Sequence, residues 1–385
     1  MESPFIYSKP VTGKNNIGRR QDAVILANFI HQGENVAIWE PPKTGKMSLV
    51  NQTFINMKVA TRQFIPIEFN LLSIRTIADF ATGLGSAVIR GASRSPEEYP
   101  SIVNRYLAGT NFTYDPEVVA SGGPLISLKW DIGPDDIKAV LGLPYQMAKE
   151  RGQKVIVVLR EFQNVMLTED GEMVCSILHS IFDGATPEVR RTCSYLFIGS
   201  EVNAMKDIFE VRRLFYRRVE HLKLSPIDPK EIIDHIVRGF LSSGKVLDRE
   251  LMLGVCKLFK GNVCYIQHIA AISDTLSKGY MLEPVLLEAL DMLISIHTPR
   301  FEATMNGLTT FQLCLLRAIL DGHTKFSSSE VIQRYNLNSS ANVRRLKDAL
   351  CKKEIVTFNE KDEPEVLDPL FEYWARKYFF GISEK

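Results

Sequence analysis

The stretch "VAIWEPPKTGKMSLV", Val36 to Val50, decides the fold. A β-branched apolar run ends at Trp39, a Pro-Lys-Thr-Gly-Lys turn follows, and the next segment sets Leu49, Val50, Phe54 and Ile55 at helical spacing. Strand, tight loop and helix in that order outline a phosphate-binding loop, in which glycine lets backbone N–H groups converge on an anion at a helix N-terminus. Measured against Gly-x-x-x-x-Gly-Lys-Ser/Thr, Gly45 and Lys46 are in place, and Lys43 and Thr44 complete the turn. Glu40 stands where the first glycine belongs, and Met47 where the metal-binding hydroxyl belongs. Ser48 is one residue further on, rotated about 100° around the helix, so it is not expected to replace that ligand.

Upstream, "RRQDAVILANFIHQG" spaces Val24, Leu26, Ala27 and Ile30 as a helix that ends at Gly33. Downstream, "FIPIEF" completes a βαβ unit. Residues from about Ser93 to Gly133 are rich in Ser, Pro, Gly and Tyr and read as an irregular insertion or a hairpin. The helix "DDIKAVLGLPYQMAKERG" follows, with Asp135 or Asp136 as its cap, and then "KVIVVLREFQNV", whose Val155 to Leu159 read as a parallel strand covered on both faces. "SYLFIGS", Ser194 to Ser200, is another such strand. Strands alternating with helices predict an α/β fold with a doubly wound parallel sheet. From Ser225 the segments become helical in period and predict a separate all-α unit. The last part, with helices at "TTFQLCLLRAILDG", "SSSEVIQRYN" and "SSANVRRLKDALCKKEIV", carries a capping box at Ser327 to Glu330 and ends in strand, charged turn, strand. That order predicts a winged helix.

A chain of 385 residues, 45% hydrophobic and 24% charged, has room for two or three domains, and this balance excludes disordered and fibrous classes. The net charge of +1 says nothing about partners. Six cysteines are scattered without a Cys-x-x-Cys pair and read as buried thiols of a reducing compartment. No basic stretch leads into an apolar one at the start, as a signal peptide requires, and apolar runs such as Val155 to Leu159 are too short to span a bilayer. The expectation is a cytoplasmic protein with no membrane partner. Seven histidines form no ligand-spaced cluster, and no Gly-x-Ser-x-Gly is present, so neither a histidine metal site nor Ser-His-Asp chemistry is expected.

The pieces, taken in order, resemble the AAA+/STAND-type P-loop ATPases of prokaryotes, in which an ATPase core precedes a helical lid and a winged helix. "NIGRRQDA", Asn16 to Ala23, is similar to the Gly-Arg-x-x-Glu box of that family, which implies that Gly18 and Arg19 lie near the adenine. "EPPKTGKMSL" resembles a degenerate Walker A and "VIVVLREFQNV" a degenerate Walker B, with Arg160 in the place of the aspartate and Glu161 in that of the catalytic glutamate. "FIGSEV" resembles the sensor 1 strand and implies a polar sensor role for Ser200; "LFYRRVEHLKLSPI" resembles the segment that carries an arginine finger, here Arg217 or its neighbour Arg218. "GNVCYIQHIA" and "LDPLFEYWARKYF" resemble the lid helix and the end of the winged helix. The resemblance covers most of the chain. It implies a P-loop NTPase domain over 1–224, with the insertion at about 93–133, a lid over 225–300, a winged helix over 301–385, and ATP or ADP as ligand.

In the family pattern Met47 and Arg160 flank one metal ion, so both protein groups that hold Mg²⁺ are replaced together. A guanidinium suits phosphate and could stand where the cation's charge would be. Phosphoryl transfer relies on an ion bridging β- and γ-oxygens. The expectation is therefore nucleotide binding without Mg²⁺, little hydrolysis, and a role as regulatory switch or scaffold. Two alternatives stand beside it. One is an active ATPase with non-standard metal ligands. The other is an adaptor for DNA or protein that no longer binds nucleotide, its Glu40 paired with Lys46 or Arg160. Glu161 reads equally as an ion-paired or capping carboxylate, and Arg217 and Arg218 as a solvated face. A protein partner or self-association is expected of such a switch. The winged helix offers Arg344, Arg345, Lys347, Lys352 and Lys353 opposite Val343, Leu346 and Leu350, as a recognition helix would, yet Asn338 to Lys385 holds nine Lys/Arg and nine Asp/Glu. The footprint for DNA is thus weak.

Overall fold

The computed structural model describes residues 3–60 and 62–382. They form two compact units, a sheet unit of Arg20–Glu40 and Leu49–Leu224, and a helical unit of Met1–Arg19, Pro41–Ser48 and Ser225–Lys385.

In the sheet unit, α1 (Arg20–Gln32) buries Ala23, Leu26 and Ile30 and leaves Val24 outward, against the sequence expectation for that residue. It stops at Gly33, whose φ is +87° and where a Cβ would lie 2.7 Å from the Arg190 carbonyl oxygen, so only glycine turns the chain there. β1 (Asn35–Trp39) is buried throughout. α2 (Lys46–Val59) runs on from the loop and buries Leu49, Val50 and Met57, with Ile55 exposed. β2 (Phe64–Asn70) and α3 (Ile77–Ala92) follow, then α4 (Tyr99–Tyr106), β3 (Phe112–Tyr114), α5 (Pro116–Ala120) and β4 (Ile126–Leu128). The stretch read as an irregular insertion or a hairpin holds an antiparallel β3–β4 hairpin together with two short helices.

α6 (Pro134–Arg151) is closed at its start by Asp136, whose carboxylate accepts from the Gly133 N–H at 2.8 Å. Of the two candidate caps, Asp136 does it, from inside the helix. β5 (Lys154–Arg160), α7 (Gly171–Gly184), α8 (Pro187–Arg190), β6 (Cys193–Gly199), α9 (Val202–Lys206) and β7 (Val219–His221) complete the unit. The strands form one parallel sheet in the order β2-β5-β6-β1-β7. Burial follows position. All seven residues of central β6 and the middle five of β5 are buried, whereas only Val219 of edge strand β7 is even half-buried. Asn35 locks this edge, donating to the Arg218 carbonyl at 3.2 Å and accepting from the Tyr195 N–H at 2.9 Å.

The helical unit contains α10 (Pro229–Ser242), β8 (Val246–Leu247), α11 (Arg249–Leu258), α12 (Val263–Leu276), β9 (Tyr280–Met281) and α13 (Glu283–Asn306). α14 (Thr310–Leu320), α15 (Ser329–Arg334), α16 (Ser340–Lys352), the antiparallel hairpin of β10 (Val356–Phe358) and β11 (Pro364–Val366), and α17 (Pro369–Trp374) form the winged helix. One hydrophobic core, including Phe240, Phe259, Leu293, Phe301, Leu350 and Trp374, runs through lid and winged helix alike. α13 passes without a break across residue 300, where the sequence suggested a boundary. The cap of α15 is Ser328, which accepts from the Val331 N–H, one residue later than the box read at Ser327. A reciprocal box occurs instead at α14, between Thr309 and Gln312.

Of the six cysteines Cys175, Cys193 and Cys256 are buried, while Cys264, Cys314 and Cys351 are only half-buried, a correction to their reading as buried thiols. Among the described residues no helix is long and apolar enough to cross a membrane, and no cluster of three His, Cys, Asp or Glu could hold a metal ion.

Candidate functional site

The loop between β1 and α2 keeps the backbone that a phosphate cradle needs. Lys43 and Gly45 are left-handed, with φ of 66° and 90°. A Cβ on Gly45 would meet nothing within 4 Å, so its conformation, rather than crowding, calls for glycine, and the space in front of it is open. The left-handed Lys43 costs roughly 1–2 kcal/mol. Main-chain carbonyls of the loop are held from inside, since Lys46 Nζ donates to the Pro41 carbonyl at 2.8 Å and Thr44 Oγ1 to the same oxygen at 2.9 Å. Lys46 is buried at the start of α2.

The "NIGRRQDA" box grips this loop. Arg19, also buried, donates to the Thr44 carbonyl at 3.3 Å and to that of Ser225, where the chain re-enters the helical unit. Gly18 has φ +67°, and a Cβ there would lie 2.3 Å from Ile227. Ser48 accepts from the Val11 N–H at 3.0 Å. Its hydroxyl thus ties the N-terminal arm to the start of α2. The side chain of Lys43 reaches the lid, with Nζ 5.7 Å from the centre of the Tyr265 ring. Tyr265 in turn donates to Asp368 at 3.0 Å, and Asp368 pairs with Arg300 at 2.8 Å while capping α17. A path of direct contacts therefore leads from the loop to the last helix of the winged helix.

His297 of α13 lies beside this path. Burial, with the charges of Lys43 and Arg300, pushes its pKa down to about 4, against a weaker pull from Asp368. His268, which stacks on Tyr7 at 3.9 Å, is its other titratable neighbour, and the buried Nε2 of His297 has no hydrogen-bond partner. An unfolded histidine titrates near 6.5. Between about 4 and 6.5 the unfolded chain therefore binds more protons, so this contribution is intact above pH 6.5 and is lost as pH falls toward 4. Melting curves from pH 7.5 to 4.5 should show a smaller drop in Tm for His297→Gln than for the wild type. Equal drops would refute the assignment.

In the sheet unit, Glu161 and Ser200, two of the candidate catalytic residues, are brought together. Ser200 Oγ donates to Glu161 at 2.5 Å, and Gln163 Nε2 donates to the same carboxylate oxygen at 2.9 Å. Glu161 is left-handed, with φ of 52°. The pKa of Glu201 is pushed upward, first by the partial desolvation of its carboxyl and then by the nearby charge of Glu161. Arg160 pairs with Glu68 of β2 at 2.6 Å, the two lying two positions apart on paired parallel strands. The guanidinium expected in the place of a metal ion is thus held by a carboxylate. Glu40 accepts from the Leu224 N–H at 3.3 Å. Arg218 pairs with Asp183, while Arg217 is exposed, left-handed at φ 58°, and lies over the Tyr216 ring. Of the five basic residues predicted for the recognition helix, Lys347 is not available, because it pairs with Asp362 and lies over Phe358. Arg344, Arg345, Lys352 and Lys353 are exposed.

These residues do not fit a protein-held Mg²⁺, which takes hard oxygen ligands. Met47 offers a thioether, Arg160 a cation, and Ser48 a hydroxyl already used. The left-handed turn, the open space at Gly45 and the Lys46 ammonium do fit the phosphates of a nucleotide.

Sequence comparison matches residues 299–377 to a family model described as a probable winged helix domain. No curated protein matches the chain. Among solved structures, the chain is similar to the Walker-type ATPase of Pyrococcus abyssi, at 14% identity over 97% of this chain and 99% of that one, with a TM-score of 0.68. It is also similar to the ORC2 protein of Aeropyrum pernix in its ADPNP–ADP complexes, at 15% identity over 93% of each chain, with a TM-score of 0.58. The chain shares with these two structures a fold of parallel sheet core, helical region and C-terminal winged helix.

Proposed function

We propose that this chain is a cytoplasmic nucleotide switch that binds ATP or ADP at Lys43 to Ser48 without a protein-held Mg²⁺ and hydrolyses ATP poorly. The observation that carries the reading is a contrast within one motif set. The loop keeps its left-handed turn and buried lysine, while neither metal position holds an oxygen ligand and Arg160 is paired with Glu68. In this reading Lys46 meets the β- and γ-phosphates, the amides of Thr44 and Gly45 line them, Met47 packs at the helix start, and Gly18 and Arg19 hold the loop's shape. Glu161, with Ser200 and Gln163 on its carboxylate, occupies the family's place for orienting water, and Arg217 that of the finger. Lys43 couples the loop to Tyr265, Asp368 and the winged helix, which is what a switch needs.

Calorimetry with ATP, once with Mg²⁺ and once with EDTA, should give dissociation constants within about threefold, less than the tenfold that corresponds to 1.4 kcal/mol. Phosphate release should stay near the rate without protein. A strict Mg²⁺ requirement, or steady turnover, would sink the proposal.

A second reading, contact with DNA, is favoured by the four exposed basic residues of the α16 region, Arg344, Arg345, Lys352 and Lys353. It expects a duplex gel shift that weakens between 50 and 200 mM salt, as counterion release requires. A shift that is absent or indifferent to salt counts against it.

A further inference from the structure

A cavity of about 470 Å³ opens in the sheet unit beside edge strand β7. Its wall contains a stack of rings. His221 lies 3.5 Å from Trp39 with 6° between the planes, and Phe209 lies 5.5 Å from the same indole at 15°. Trp39 is buried, whereas His221 is exposed at the cavity, so the stack presents an aromatic surface to solvent. Across the opening stands Tyr216, 52% exposed, with the guanidiniums of Arg217 and Arg213 at 5.0 and 6.0 Å from its ring centre.

Both arginines are left-handed, with φ of 58° and 52°, a conformation costing each roughly 1–2 kcal/mol. Arg213 ends the helical turn before it, where the Leu214 N–H reaches the Ile208 carbonyl at 3.1 Å, and Arg217 sits inside a turn closed by the Arg218 N–H to the Phe215 carbonyl at 3.0 Å. Backbone strain of this kind persists only where the surroundings enforce it, and it gathers at binding sites. Here it places two guanidiniums at the rim of one cavity.

We infer that this cavity is a second nucleotide site, which stacks one nucleobase on the aromatic surface of His221 and Tyr216 and holds its phosphate with Arg213 and Arg217. Planar rings accept any base face, because every base has a π-face. Guanidinium matches phosphate in a two-pronged geometry. The volume lies within the roughly 300–1,000 Å³ of small-molecule sites, enough for a single nucleotide and too little for a duplex. Glu210, the carboxylate of the lining, would repel the phosphate but can accept from an exocyclic amine of the base. Burial against its surroundings, with the charges of Lys223 and Lys206, lowers the His221 pKa to about 4, so a neutral ring faces the base at physiological pH. Those lysines also add positive potential around the opening. The same chemistry recognises a free nucleotide or an unpaired residue of a single strand.

The test uses the full chain carrying Lys46→Ala, which disables the loop site and leaves this one intact. AMP, which has no β- or γ-phosphate, and a ten-residue deoxyadenylate are titrated by calorimetry. At least one should bind with the affinity it shows for the unsubstituted chain. Adding Tyr216→Ala or Arg213→Ala, both at exposed positions, should weaken that binding at least tenfold, with melting curves confirming that the variants fold. Saturation by AMP identifies a free nucleotide as the ligand, and binding of the oligonucleotide alone identifies a single strand. The inference is overturned if neither probe binds, or if binding is unchanged by both substitutions. Loss of ATP binding in Lys46→Ala with AMP binding retained separates the two sites.

Discussion

Lys46→Ala should abolish the thermal stabilisation that ATP gives in the presence of EDTA. A ligand at a hundred times its dissociation constant stabilises a protein by about 2.7 kcal/mol. For folded units near 200 residues that is a rise in Tm of roughly 5–10 °C. A hydrogen bond to a charged group contributes about 1.5–3 kcal/mol, so removing the ammonium should weaken binding on the order of a hundredfold. At the same ATP concentration the stabilisation then falls to about 0.4 kcal/mol, hardly measurable. Lys46 also donates to the Pro41 carbonyl within the loop, so the variant without ligand should melt slightly lower than the wild type. The comparison that matters is the shift with ATP in each protein. A full shift in the variant would mean that the loop does not bind the phosphates.

Phe197→Ala should be the most damaging single change in the sheet unit. Phe197 is fully buried on central strand β6, with Phe162 edge-on at 4.6 Å, Phe215 at 5.2 Å and Phe209 at 5.6 Å. Truncating a buried phenylalanine costs about 3–5 kcal/mol, because the lost transfer energy is joined by that of the cavity left behind. Against a typical total of 5–15 kcal/mol, that is a large share. Two units need not unfold together, and the tryptophans report on them separately. Trp39 and Trp130 belong to the sheet unit and Trp374 to the helical unit. In urea titration the first transition should move to lower denaturant, and a midpoint within experimental error of the wild type would refute this account of the core.

The parts of the fold that were legible in the sequence are those decided by local physics. β5 and β6 announce themselves as continuous apolar runs because both faces of a central parallel strand are covered. The winged helix is legible because its helices and hairpin follow one another with clear caps and turns. The insertion was legible only in its hairpin, since α4 and α5 are too short to show a helical period. The candidate site divides in the same way. Gly45, Lys46 and Met47 are visible from the spacing of the loop motif, and Arg160 from the resemblance to a Walker B strand. Glu68 is not, because its approach to Arg160 depends on the β2–β5 register, which no local pattern encodes. Tyr265 and Asp368 lie 103 residues apart, and only the fold brings them together. Gln163 could have been noticed, two residues beyond Glu161 and aimed at its carboxylate. Lys347 was misjudged because helical periodicity places it outward while the wing folds back over it.

α13 carries a proline at position 299, two residues past His297 and one before Arg300. Proline has no N–H to give the carbonyl four residues back, so the ladder lacks a rung at Ser295. A helix of this length spans about 36 Å at 1.5 Å per residue, and bends concentrate where a rung is missing. The winged-helix match also starts at residue 299. Beyond that point Phe301 packs 5.6 Å from Phe371 and 5.5 Å from Trp374, so the final turns of α13 move with the winged helix. The missing rung therefore divides α13 into a stretch that carries His297 beside Lys43 and a stretch whose Phe301 is packed into the winged helix.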